Sequence, residues 1–173
     1  MAMYLIAGAT ANGSSGTFDF QNIPQTYKHL ELRIVCRSST GTSGTNMPAQ
    51  FNGDTGSNYS GHYLAGNGST TFGSNFPGQN VTSFNYGWAA GNNDTANMFG
   101  ASIALIPDYT STSKRKTVKI LNVNPAYTLI GVWGGVWQST AAINRVVFSC
   151  GTIAANSTAY LYGIADNPIA TGA

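Results

Sequence analysis

The groups that could do chemistry in this chain are few. Its 173 residues include six carboxylates, Asp19, Glu31, Asp54, Asp94, Asp108 and Asp166, and two histidines, His29 and His62. No two carboxylates stand at a spacing that announces acid–base work, although a glycosidase pair need not be close in sequence. His29 and Glu31 share one side of an alternating stretch, but no third ligand or Cys-x-x-Cys accompanies them. There is no Gly-x-Ser-x-Gly elbow and no phosphate loop. The reading is therefore a protein that is not an enzyme, with no catalytic residue, no cofactor and no metal site. Asn52, Asp54 and Asn58 offer oxygens of the kind calcium takes, yet they lack the closing Glu and the density of acids of a calcium loop. Side-chain hydrogen bonds that stabilise a turn are the alternative for the same three residues. The aromatic set Tyr59, Tyr63, Trp133 and Trp137 suits either a sugar-stacking platform or a core or subunit interface.

Composition narrows the classes further. Charged residues are only 8% of the chain and hydrophobic ones 42%, with Gly, Asn, Ser and Thr filling the difference. An ordinary soluble domain is about a quarter charged. Lightly charged polar surfaces of this kind suit proteins that pack into large assemblies. The net charge of +2 is too small for nucleic acid, which needs a basic stripe. No apolar stretch approaches bilayer length, and the N-terminus lacks the basic region of a secretion signal, so neither membrane nor secretion is expected. The one basic run, Lys114, Arg115 and Lys116, reads as a solvated hairpin turn or, more sharply, as a contact for an acidic partner surface. Cys36 and Cys150 lie in or beside apolar runs and read as reduced and structural, able to pair only if their strands are neighbours.

The elements that must position these residues are strands. Leu30, Leu32, Ile34 and Cys36 alternate with His29, Glu31, Arg33 and Arg37, the period of a half-buried strand with one wet side. Similar alternation marks Phe84, Tyr86 and Trp88, then Phe99, Ala101, Ile103 and Leu105, then Val118 and Ile120, and finally Tyr160, Tyr162 and Ile164. In the stretch 129–137 the glycines predict a bulge or the close approach of another backbone. Residues 65–79, with Gly66, Gly68, Gly73 and Gly78 around Phe72 and Phe76, read as a long loop. Between Phe51 and Tyr59, Asn52-Gly53 and Asp54-Thr55-Gly56 supply the positive-φ residues of an elaborate turn. Nine or ten short strands without a helical stripe predict a single all-β domain over residues 1–173, an antiparallel jelly-roll-like β-sandwich. The domain would include a short N-terminal segment, with a first strand over Tyr4–Ala7, and a loose C-terminal tail, 165–173.

Several strings run in a familiar order. Ile23-Pro24-Gln25-Thr26-Tyr27-Lys28-His29-Leu30-Glu31-Leu32 is followed by Phe51-Asn52-Gly53-Asp54-Thr55-Gly56-Ser57-Asn58-Tyr59-Ser60 and, near the end, by Leu161-Tyr162-Gly163-Ile164. Phe99-Gly100-Ala101 leading to Asp108-Tyr109, and Trp137 leading to Thr140-Ala141-Ala142-Ile143, lie between them. The chain thereby resembles, over nearly its whole length, a family of tailed-bacteriophage virion structural proteins found in aquatic and cyanobacterial phages. The resemblance implies a structural component on the outer surface of a phage particle, made in the host cytoplasm. A capsid decoration, or cement, protein is the leading expectation, a homotrimer seated on the major capsid protein. Its partner contacts are expected from Tyr4 in the N-terminal segment, Phe72 and Phe76 in the glycine-rich loop, and Lys114, Arg115 and Lys116. A tail-fibre or baseplate module for host recognition is one alternative. A carbohydrate-binding module for a host-surface glycan is another.

Overall fold

Extended backbone dominates because β-branched and aromatic residues alternate with polar ones between glycine and asparagine turns. In the computed structural model, residues 1–40 and 43–166 are described. They form twelve strands: β1 (Ala2–Thr10), β2 (Thr17–Phe20), β3 (His29–Cys36), β4 (Thr45–Phe51), β5 (Tyr59–Gly66), β6 (Thr71–Val81), β7 (Phe84–Ala89), β8 (Gly100–Ile106), β9 (Lys116–Asn124), β10 (Leu129–Trp137), β11 (Val146–Ser149) and β12 (Thr158–Ala165). One sheet has eight strands in the order β1-β12-β3-β8-β9-β10-β5-β6, and the other four in the order β2-β11-β4-β7. All paired strands within them are antiparallel. With β8 to β10 counted as one elaborated arm, the small sheet has the first, last, third and sixth strands of a jelly roll in order. The predicted all-β sandwich is what forms.

The core lies between the sheets. Leu30, Leu32, Ile34 and Cys36 of β3 and Ile120 of β9 are fully buried, as are Phe51, Phe84, Tyr86 and Phe148 of the small sheet. Aromatic rings knit the layers together: Phe51 meets Trp137 edge-on at 5.7 Å between centroids, and Phe84 meets Tyr59 at 5.9 Å. A buried asparagine adds a polar tie. Asn122 of β9 accepts a hydrogen bond from the backbone N–H of Trp88 on β7 and donates to the Trp88 carbonyl, both at 3.1 Å. It also donates to the Ser102 hydroxyl at 2.8 Å. Gly87 faces that amide with φ +109°, and a Cβ there would fall 2.5 Å from Asn122.

Three expectations need correction. Most of the stretch read as a loop, residues 65–79, belongs to β6, an edge strand paired to β5 with register shifts near Gly61 and Tyr63. Gly, Ser and Asn have little strand propensity of their own, so here backbone pairing to a neighbouring strand decides. The first strand expected over Tyr4–Ala7 forms and is longer, nine residues hydrogen-bonded to β12. The glycines of β10 mark no bulge, since its register with β9 and β5 is unbroken. They clear space for rings: a Cβ at Gly131 would lie 2.5 Å from the Trp133 ring, and one at Gly135 3.2 Å from Phe84. Arg37, placed on the wet side of β3, is buried, and its guanidinium donates to the carbonyls of Asn92, Asp94, Thr95 and Met98. Those four acceptors satisfy a cation that would otherwise be costly to bury. Of the tail expected over 165–173, Ala165 ends β12, and residues 167–173 lie outside those described.

Candidate functional site

The turn joining β4 to β5 carries the most distinctive residues, and their polar atoms are engaged inside the chain. Asn52 (φ +53°) and Gly53 (φ +69°) make the tight reversal, closed by the Asp54 N–H donating to the Phe51 carbonyl at 2.9 Å. The Asn52 amide oxygen accepts from the N–H groups of Asn144 and Arg145, and its nitrogen donates to the Ala142 carbonyl. The Asp54 carboxylate accepts from the Trp137 indole at 2.7 Å, the Gly56 N–H at 2.8 Å and the Asn58 amide at 2.9 Å. The Trp137 indole is the main reason the Asp54 carboxyl sits below its usual range, with Asn58 and Gly56 helping against partial burial. Tyr59 is fully buried, its hydroxyl accepting from the Phe51 N–H at 3.0 Å and donating to the Asp54 carbonyl at 3.1 Å. Burial pushes that phenol up to about 12. A carboxylate ringed by N–H donors is held by the protein, and Asn52, Asp54 and Asn58 all make the side-chain hydrogen bonds that stabilise the turn.

The basic run divides. Lys116 is buried, and its ammonium donates to the carbonyls of Ser111, Lys114 and Thr140 at 2.6, 2.8 and 3.0 Å. Desolvation lowers its pKa. As the first residue of β9 it falls on the inward-facing register, so the expected partner contact at Lys116 is corrected to a structural one. Lys114 remains exposed and pairs with Asp108 at 2.6 Å, and Lys28 approaches the same carboxylate at 3.3 Å. Arg115 is exposed. His29, weighed as a ligand, accepts from the Asp108 N–H at 3.0 Å through Nδ1.

The remaining contact candidates do not converge. Tyr4 lies on β1 at one edge of the large sheet, half-buried, its ring 5.8 Å from that of Tyr27. Phe72 and Phe76 lie on β6 at the other edge, about 30 Å away at 4.7–4.9 Å per strand. The proposed sugar platform is dismantled as well, since Tyr59, Trp133 and Trp137 are buried. Tyr63 is half-buried, stacked on Trp133 at 5.3 Å. A different aromatic recess does open to solvent, a pocket of about 280 Å³ lined by Ser43, Gly44, Phe72, Trp88, Tyr127 and Leu129.

What sequence reading missed is the outer face of the large sheet. Strand register sets Val35, Ala101, Val123 and Ile130 side by side across β3, β8, β9 and β10. The adjacent row is Ile103, Leu121, Val132 and Leu64 across β8, β9, β10 and β5. All eight are exposed, Leu64 by 65% and Ile130 by 55%. They make a contiguous apolar block on the order of 600 Å², at the upper end for the largest patch on a monomer. The signal was available. Ile34-Val35-Cys36, Ile120-Leu121 and Leu129-Ile130 are apolar at consecutive positions, and a strand apolar on both sides asks to be covered on both. The charges beside the block are largely settled, because Arg33 bonds Glu31 at 2.8 Å, leaving Lys119 one step along β9.

Among the described residues no three His, Cys, Asp or Glu side chains gather as metal ligands. Cys36 and Cys150 are free, buried thiols in contact. That contact, followed by burial, pushes the Cys150 thiol far up, so it stays protonated. What the geometry offers is a surface with apolar area to bury. Comparison with protein-family models, curated proteins and solved structures gives no match.

Proposed function

We propose that the chain is a non-catalytic structural protein of a bacteriophage virion, a capsid decoration protein that works by burying its surface against its neighbours. The observation that carries this reading is the contiguous apolar block on the outer face of the large sheet. A lightly charged apolar face suits repeated attachment, in which many weak contacts on one particle add up to strong holding. The ordered strings from Ile23 to Ile164 support the virion assignment through the resemblance they carry. On this reading the partners are copies of the chain itself and the major capsid protein. Cryo-electron microscopy of intact particles tests it: density for this sandwich should recur over the head, and a few copies confined to the tail would overturn the capsid assignment in favour of a host-recognition module.

A glycan-binding role has one feature in its favour, the open recess of Phe72, Trp88 and Tyr127, whose rings are of the type that stack on sugars. Binding on a glycan array that is lost in Trp88→Ala would favour that role.

A further inference from the structure

We infer that the outer face of the large sheet pairs with the same face of a second copy of this chain, about a twofold axis. The pairing specifies the like partner in the proposed function and rests on that reading only for its purpose. Three observations select a second copy as the occupant. The first is area. The exposed apolar block, on the order of 600 Å², together with its polar margin approaches the roughly 800 Å² that each partner contributes to a standard stable interface. The second is charge. Arg33, beside Ile103 on β3, is paired with Glu31 within the chain, Lys119 stands at the margin, and the eight residues of the block are all apolar, so charge at the centre of the face selects no partner of opposite sign. A face apolar at its centre is complementary to itself.

The third is the arrangement of sizes. An axis lying in the plane of the face, across the strands and between the two rows, sets Leu121 against the partner's Val123. The same operation puts Ile103 against the partner's Ala101 and Val132 against the partner's Ile130, and at the two ends of the rows Leu64 against the partner's Gly66 and Val35 against the aliphatic stem of the partner's Arg33. Large side chains then meet small or branched ones at the roughly 10 Å separation of packed sheets. Lys119, one step beyond Leu121 on β9, is carried to opposite rims of the pair, so the two ammonium groups do not meet. One self-complementary face closes as a pair. The trimer expected for a cement protein would need two unlike patches on each copy.

The test is sedimentation velocity on the purified full chain, its Leu121→Lys variant and a control, Leu5→Lys. Leu5 is also exposed but lies on β1, outside the block. The expected result is a dimer whose dissociation constant rises at least about 100-fold in Leu121→Lys and stays put in Leu5→Lys. Far-ultraviolet circular dichroism checks that each variant keeps its strands, and Val132→Lys replaces Leu121→Lys if that variant fails to fold. A monomer throughout the micromolar range overturns the pairing, as does a trimer or a dimer indifferent to both lysines. A Leu121-dependent dimer absent from purified particles would support the pairing while removing the particle role.

Discussion

Asp54 is the residue on which the β4–β5 turn hangs, and Asp54→Ala measures how much. The substitution removes the acceptor of the Trp137 indole, the Gly56 N–H and the Asn58 amide. It strands the indole nitrogen of a tryptophan that is only 3% exposed. A hydrogen bond to a charged group contributes about 1.5–3 kcal/mol, and a buried donor left alone costs about 1–3 kcal/mol. The two losses overlap, so we expect about 3 kcal/mol in all. With a urea dependence of about 2 kcal/mol per molar, the midpoint should fall by roughly 1.5 M, read by tryptophan fluorescence. Thr55→Ala, exposed in the same turn, should stay within about 0.5 kcal/mol of the parent. Acid gives a second readout. The folded-state value of Asp54 lies below its ordinary 3.8, so its contribution is complete above that value and is lost as pH falls through the lower one. Asp19, held down mainly by Arg145, and Asp108, held down mainly by Lys114, add acid sensitivity of the same sign, so the variant should lose part of the slope and keep the rest. If Asp54→Ala unfolds at the same urea concentration as Thr55→Ala, the turn is not anchored through this carboxylate and the reasoning fails.

Three further outcomes follow from the interior. Lys116→Met leaves three carbonyls without their donor and should cost about 2–4 kcal/mol in thermal or urea unfolding, whereas Arg115→Ala should change little. Gly163→Ala drives a Cβ into the Tyr27 ring and should cost about 1–3 kcal/mol, with Tyr27→Ala in the same chain relieving part of the loss as a non-additive pair. Tyr86→Phe removes a buried hydroxyl that has no hydrogen-bond partner among the described residues, so stability should hold or rise by up to about 1 kcal/mol.

Alternation made β3 legible, because Leu30, Leu32 and Ile34 are apolar on one side while His29, Glu31 and Arg33 are polar on the other. The reversal after Phe51 was equally plain from Asn52-Gly53, whose two positive φ angles are those the turn demands. β6 was hidden because an edge strand of Gly, Ser and Asn is held by its neighbour's backbone, which local propensity does not report. Lys116 and Arg37 were misplaced for a related reason. A cation can enter the interior where turns from distant segments aim carbonyls at it, and nothing local announces those turns. Val35 fell out of view because its neighbours Arg33 and Arg37 suggested a wet side. Only strand register sets it beside Ala101, Val123 and Ile130 and turns scattered exposed residues into a face.

The most direct measurement is the number of copies per particle, by quantitative mass spectrometry, when phage is grown with the parent chain, with Leu121→Lys or with Thr55→Ala. The account predicts many copies of the parent and of Thr55→Ala, and a severe drop for Leu121→Lys. A handful of copies for every form, or full occupancy by a folded Leu121→Lys chain, would contradict it.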